Sequence, residues 1–159
     1  MVWNSALLQR FSSDDKKLLV AVINIHNAVH DLWRKLPRTR LRKLPRFECH
    51  TICRALAKKV PTLLVEDGKY FGLRRAGETQ EGQFADHSWL VTPDGAIIDP
   101  YPVGFLTPNP VLVVTRGIYQ PYGSGLYVPD KRVRRSFPKL RVMWKTRILF
   151  GLIQEATAS

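Results

Sequence analysis

Apolar residues recur at helical spacing along the first third of the chain and at strand spacing through its middle. Leu18, Val22, Ile25, Val29, Leu32 and Leu36 follow one another at intervals of 4, 3, 4, 3 and 4, and Leu19, Ile23 and Trp33 widen the stripe. That period predicts an amphipathic helix of about five or six turns. Ser12-Ser13-Asp14-Asp15 supplies an N-cap and acidic residues for its first turn, and Pro37 ends it. From Arg34 to Arg46, seven of thirteen residues are Lys or Arg, with prolines at 37 and 45; this reads as a basic connecting loop with one helical turn. A second helix is predicted from about Glu48 to Lys59. Cys49, Ile52, Cys53, Leu56 and Val60 mark its inner face and Pro61 stops it.

The period then changes. Thr62 to Glu66 is strand-like, Asp67-Gly68 is a hairpin turn signal, and Lys69 to Arg74 reads as the returning strand. Ala76 to Gln83 is polar and contains glycine, which predicts a mobile loop. Phe84 to Val91 and Ala96 to Tyr101 are predicted strands around the turn Pro93-Asp94-Gly95. Pro110 to Thr115 is a further strand, and Gly117 to Asp130, rich in Gly, Pro and Tyr, reads as irregular. Pro138 to Ala156 is predicted helical, with apolar Leu140, Met143, Ile148, Leu152 and Ile153 among basic Lys139, Arg141, Lys145 and Arg147. The order predicts one α+β domain, N-terminal helices packed against an antiparallel sheet. Within 1–159, residues 1–46 are the first helix and connector, 47–116 a helix plus sheet, and 117–159 an irregular segment and basic C-terminal helix.

Composition sharpens this picture. With 159 residues, 45% of them hydrophobic, the chain can bury a core without staples. No apolar run reaches the roughly eighteen residues of a spanning helix, and the first ten residues lack a basic leader. Two cysteines four apart do not make a disulfide framework. A reduced, cytoplasmic setting is therefore expected; a protein exported by a dedicated machine would carry the same signs. The net charge of +12 favours anionic partners. Oligomeric state is not legible.

Candidate chemistry lies in Cys49, His87 and Asp99. A thiol is a weak nucleophile until it ionises, and a helix N-terminus or a nearby imidazolium lowers its pKa. Cys49 is expected in the opening turn of the second helix, where unpaired backbone N–H groups can also hold an oxyanion. His87 would act as base and then acid, and Asp99 would orient the imidazole. A three-residue loop at 93–95 makes Thr92 face Ala96 and Trp89 face Asp99, with His87 diagonal to Asp99 on the same face. A slip of one residue would separate them. Cys53, one turn deeper, reads as a small buried hydrophobe, and a plain buried cysteine is also the simpler reading of Cys49. His50, adjacent to Cys49, is assigned to the helix start or a substrate groove, since neighbours on a helix do not share a face. Trp89 is assigned to a substrate-cleft wall or to the core. His26 and His30 have a metal-holding spacing but no third ligand, and read as flanks of the buried stripe. No metal or organic cofactor is expected.

These stretches, Cys49 to Ala57, His87-Ser88-Trp89 and Asp99-Pro100, resemble the papain-like cysteine hydrolases, especially their transglutaminase-like branch. The resemblance covers about residues 47 to 103. It implies a helix packed on an antiparallel sheet with a triad across the junction. It also implies acyl transfer on a protein or peptide substrate: peptide or isopeptide hydrolysis, glutamine deamidation, or transamidation. The chain departs from the papain pattern in lacking a glutamine shortly before Cys49, so the second oxyanion donor is not assigned.

Two other readings compete. The clusters at 34–46 and 131–147 suit a basic module that binds nucleic acid or an acidic protein partner on a scaffold that is not catalytic, although no helix-turn-helix, zinc or RNA-recognition signature accompanies them. Alternatively, Leu140, Met143, Trp144, Ile148, Leu149 and Phe150, interleaved with Lys and Arg, suit a helix lying in a membrane interface.

Overall fold

The computed structural model describes residues 12–71, 84–100, 112–115 and 126–158. The expected loop at 76–83, Tyr101, Pro110 and most of the 117–130 segment lie outside them. Helix α1 (Ser13–Lys35) begins where Ser12 Oγ accepts from Asp15 N–H at 3.1 Å, a cap worth about 1 kcal/mol. Leu19, Val22, Ile25 and Val29 are buried along it, matching the periodic stripe. The single turn α2 (Arg38–Leu41) falls within the basic connector, whose arginines and lysines are exposed. Helix α3 (Cys49–Lys59) buries Cys49, Ile52, Cys53 and Leu56.

The described strands are β1 (Leu64–Phe71), β2 (Phe84–Val91), β3 (Ala96–Asp99), β4 (Leu112–Thr115) and β5 (Leu126–Pro129). They form one antiparallel sheet in the order β4-β3-β2-β1-β5. Two helices follow, α4 (Lys131–Ser136) and α5 (Lys139–Thr157). The architecture is thus α+β. Residues of α1, α3 and α5 share one core with Leu90 and Ile98 of the sheet. Trp89, Val91 and Ile97 form a second cluster, against which Tyr127 packs. The two clusters follow from side-chain alternation along a strand. No helix among the described residues is long and apolar enough to cross a membrane.

The β2–β3 turn forms with the expected register. Gly95 takes the left-handed conformation (φ 85°). Its N–H donates to Thr92 O at 2.9 Å, and Thr92 N–H donates to Ala96 O at 2.9 Å. Leu90 then pairs with Ile98 and Val91 with Ile97, which continues to Trp89 opposite Asp99.

Three expectations are corrected. Asp67-Gly68 is not a turn: both residues lie inside β1, paired with Ser88 and His87. Close approach explains the glycine. A Cβ on Gly68 would meet the Val128 carbonyl, Trp89 Cη2 at 2.7 Å and Pro129 Cα at 2.9 Å. The segment read as irregular before Asp130 contains β5, which pairs with β1. Residues 131–136, read only as a basic cluster, form α4, capped by Asp130 and held by buried Val133. In the C-terminal helix Leu149, Leu152 and Ile153 are buried, with Ile148 and Phe150 packed against the same core, while Leu140, Met143 and Trp144 are exposed.

Candidate active site

Helix α3 meets the sheet at its first residue. Thr51 and Ile52 make the first N–H bonds of the helix, both to Glu48 O at 3.0 Å, so the Cys49 and His50 N–H groups precede the helical ladder. The chain entering the helix is held from α5. Lys145 is 3% exposed, and its ammonium donates to Arg46 O at 2.7 Å and to Glu48 Oε1 at 2.6 Å. A buried lysine needs such partners. The pair draws the Glu48 carboxylate onto α5 and fixes the backbone just before Cys49.

His87 and Asp99 come from neighbouring strands. Asp99 is fully buried, and His87 is 7% exposed. His87 Nε2 lies 2.7 Å from Asp99 Oδ2, and the Tyr127 hydroxyl donates to the same oxygen at 2.7 Å. The Cys49 sulfur and the His87 ring act on each other through a hydrogen bond and charge, so Cys49, His87 and Asp99 form one interacting group.

Electrostatics follow from this arrangement. Burial alone would push the Cys49 thiol up. Hydrogen bonds from His50 and His87, with the charge of both rings, outweigh it and bring the thiol from 9.0 down to about 6. Burial would likewise lower His87, but the charge and hydrogen bond of Asp99, then those of Cys49, raise it to about 10. Between those values the resting pair is thiolate and imidazolium. Tyr127 is pushed well above the ordinary phenol value, first by burial and then by the Asp99 charge, so it stays a neutral donor. Cys53 is fully buried and donates to Ser88 O at 3.2 Å. Burial, followed by the charges of Asp99 and Cys49, drives its thiol well up.

His50 occupies a place that helix geometry alone did not indicate. Its Nδ1 lies 3.5 Å and its Nε2 3.8 Å from Cys49 Sγ. Adjacent residues diverge at Cβ, but an imidazole is long enough to fold back over its neighbour. Ser88 fixes it there: Nδ1 lies 2.6 Å from Ser88 Oγ. The Ser88 hydroxyl donates to Asp67, which also accepts from Arg54 Nη2 at 2.7 Å. Because the one Ser88 proton goes to Asp67, His50 Nδ1 is the donor to Ser88. Phe137, at the α4–α5 junction, lies against the His50 ring with centroids 3.5 Å apart. The sulfur thus interacts with two imidazoles, one bonded to Asp99 and the other linked to Asp67 through Ser88.

Trp89 is fully buried, donating from Nε1 to Glu66 Oε2 at 3.0 Å, so it offers no surface to a cleft. Its ring instead packs edge-on to Tyr127. His26 is buried on α1, and among the described residues no group of three or more ligating side chains is placed to hold a metal. Sequence reasoning missed Ser88, Asp67, Arg54, Tyr127 and Lys145. Of these, Ser88 and Arg54 lie inside the stretches quoted for their chemistry, His87-Ser88-Trp89 and Cys49 to Ala57. No family model, curated protein or solved structure significantly matches the chain.

Proposed function

We propose that the protein is a cysteine-dependent hydrolase or acyltransferase acting on an amide bond, built on a papain-like core of the transglutaminase-like type. The observation that carries this reading is the buried His87–Asp99 pair at 2.7 Å, coupled to a cysteine that opens a helix. Structural cysteines lack this combination, since burial raises the pKa of an isolated thiol.

In the proposed reaction the Cys49 thiolate attacks the amide carbonyl carbon. The carbonyl oxygen gains the charge, next to the N–H groups at the start of α3. The C–N bond then breaks as the His87 imidazolium passes its proton to the leaving amine, giving a thioester and neutral imidazole. Water attacks in hydrolysis or deamidation, and a second amine attacks in transfer. His87 takes the proton of the incoming group, and the C–S bond breaks to restore the thiolate. Asp99 holds the ring through Nε2, leaving Nδ1 to serve sulfur and substrate, while Tyr127 holds Asp99. His50 steadies the thiolate as well.

The test is incubation with a mixed peptide library, with and without added primary amine, read by mass spectrometry for cleavage, glutamine deamidation and amine incorporation. The proposal expects at least one product that vanishes in Cys49→Ala and persists in Cys53→Ala. Products identical in wild type and Cys49→Ala, or none from wild type together with a Cys49 thiol of ordinary pKa, would refute it.

A further inference from the structure

The outer side of α4 and α5 has a composition that the candidate active site does not use. From Lys131 to Gln154 the sequence contains eight Lys or Arg and no carboxylate. Lys145 is buried against Glu48 and Arg132 is paired with Asp130. The other six, Lys131, Arg134, Arg135, Lys139, Arg141 and Arg147, are exposed. On α5, large apolar side chains alternate with Lys139, Arg141 and Arg147: Leu140 is 84% exposed, Met143 67% and Trp144 56%. Positions 140, 143, 144, 147 and 151 follow the i, i+3, i+4, i+7, i+11 spacing of one helix face. Gly151, on that line, has open space where a Cβ would stand. The opposite side of α5 carries Leu149, Leu152 and Ile153 into the core. The helix is therefore apolar on two sides, and only one of them is covered.

We propose that this outer face docks on an anionic lipid surface, with Leu140, Met143 and Trp144 in the interface and the neighbouring cations on lipid headgroups. Both halves of the chemistry are required. An apolar triad flanked on its own helix by Lys139, Arg141 and Arg147 matches the boundary between acyl chains and acidic headgroups, and tryptophan favours that boundary in particular. Nucleic acid would use the cations but gives the exposed leucine and methionine little to bury against. Phe137, three residues before Leu140, rests on His50, so the segment leading into this face touches the candidate active site. Docking would bring that site close to the lipid surface. The proposal does not rest on the activity of Cys49.

The experiment is flotation of the full chain with vesicles of phosphatidylcholine alone or containing about one-third phosphatidylserine. The expected result is at least about ten-fold stronger partitioning onto the acidic vesicles, weakened by salt. Combined Leu140→Ser, Met143→Ser and Trp144→Ser should lower it about ten-fold or more, as should Arg141→Glu with Arg147→Glu. Cys49→Ala should leave it unchanged. All these substitutions except Cys49→Ala are at exposed positions, and circular dichroism checks that each variant is folded. Several results would overturn the proposal: no preference for acidic vesicles at low salt; equal binding by the triple-serine variant; or occupation of the face by another partner. The last would show as DNA retention that outcompetes vesicles, or as a concentration-dependent dimer abolished by the triple-serine change.

Discussion

Cys49 and Cys53 lie one turn apart on the same helix, both buried, and their thiols are driven in opposite directions. Each pays the desolvation that raises a thiol pKa. Cys53 donates to a carbonyl, and burial with the charges of Asp99, Cys49 and Asp67 outweighs that of Arg54, so it remains a thiol. Cys49 interacts with two imidazoles, and their hydrogen bonds and charge reverse the sign. Burial alone therefore does not decide whether a cysteine is inert. What decides is whether the groups buried with it donate protons or accept them.

The largest effect expected from this contrast separates the two sulfurs. Cys49→Ala should reduce amide turnover by about 10³-fold or more, whereas Cys53→Ala should leave turnover intact and cost about 1 kcal/mol in a denaturant melt. Next comes His87→Ala, expected to slow turnover by about 10²–10⁴-fold and to let burial carry the Cys49 thiol back up. In the wild type the pH profile should rise through about 6, as the thiolate forms, and fall through about 10, as His87 loses the proton required by the leaving amine. A profile rising only near 8.5, where a free thiol ionises, would break the contrast.

His50→Ala should raise the Cys49 midpoint by about one pH unit and slow turnover about ten-fold. Ser88→Ala, which frees the ring without removing it, should do less. If His50→Ala leaves the midpoint unmoved, the sulfur depends on one imidazole rather than two. The smallest effect is that of Tyr127→Phe, which removes a donor to Asp99 Oδ2 while leaving His87 on the same oxygen. Loss of one such hydrogen bond, about 1 kcal/mol, corresponds to a roughly five-fold fall in turnover.

The parts of this arrangement that were legible in the sequence are those governed by local rules. The stripe of α1, the start of α3 beside Glu48, and the turn at Pro93-Asp94-Gly95 all depend on residues near one another, and the turn fixes the register that puts His87 on the face of Asp99. The parts that were not legible depend on long-range approach. Asp67-Gly68 has strong turn chemistry, yet tertiary packing overrides it. Gly68 is needed because β5 and Trp89 come too close for a Cβ, and Asp67 is needed because Arg54 and Ser88 converge on its carboxylate. Tyr127 lay in a stretch without strand periodicity and gains its role only through pairing with Tyr70. Lys145 looked like one more solvated cation until α5 packed across the entrance to α3. The contact of His50 with the Cys49 sulfur is hidden from the sequence for a different reason. Helical periodicity places Cβ atoms, and the reach of an imidazole exceeds the separation that periodicity implies.

The most direct measurement is an ultraviolet thiolate titration of the Cys53→Ala protein, in which Cys49 is the only cysteine. A single transition near pH 6 is predicted, moving upward in His87→Ala and by a smaller step in His50→Ala. A transition at or above about 8.5, the ordinary thiol value, and insensitive to both histidines would contradict the account.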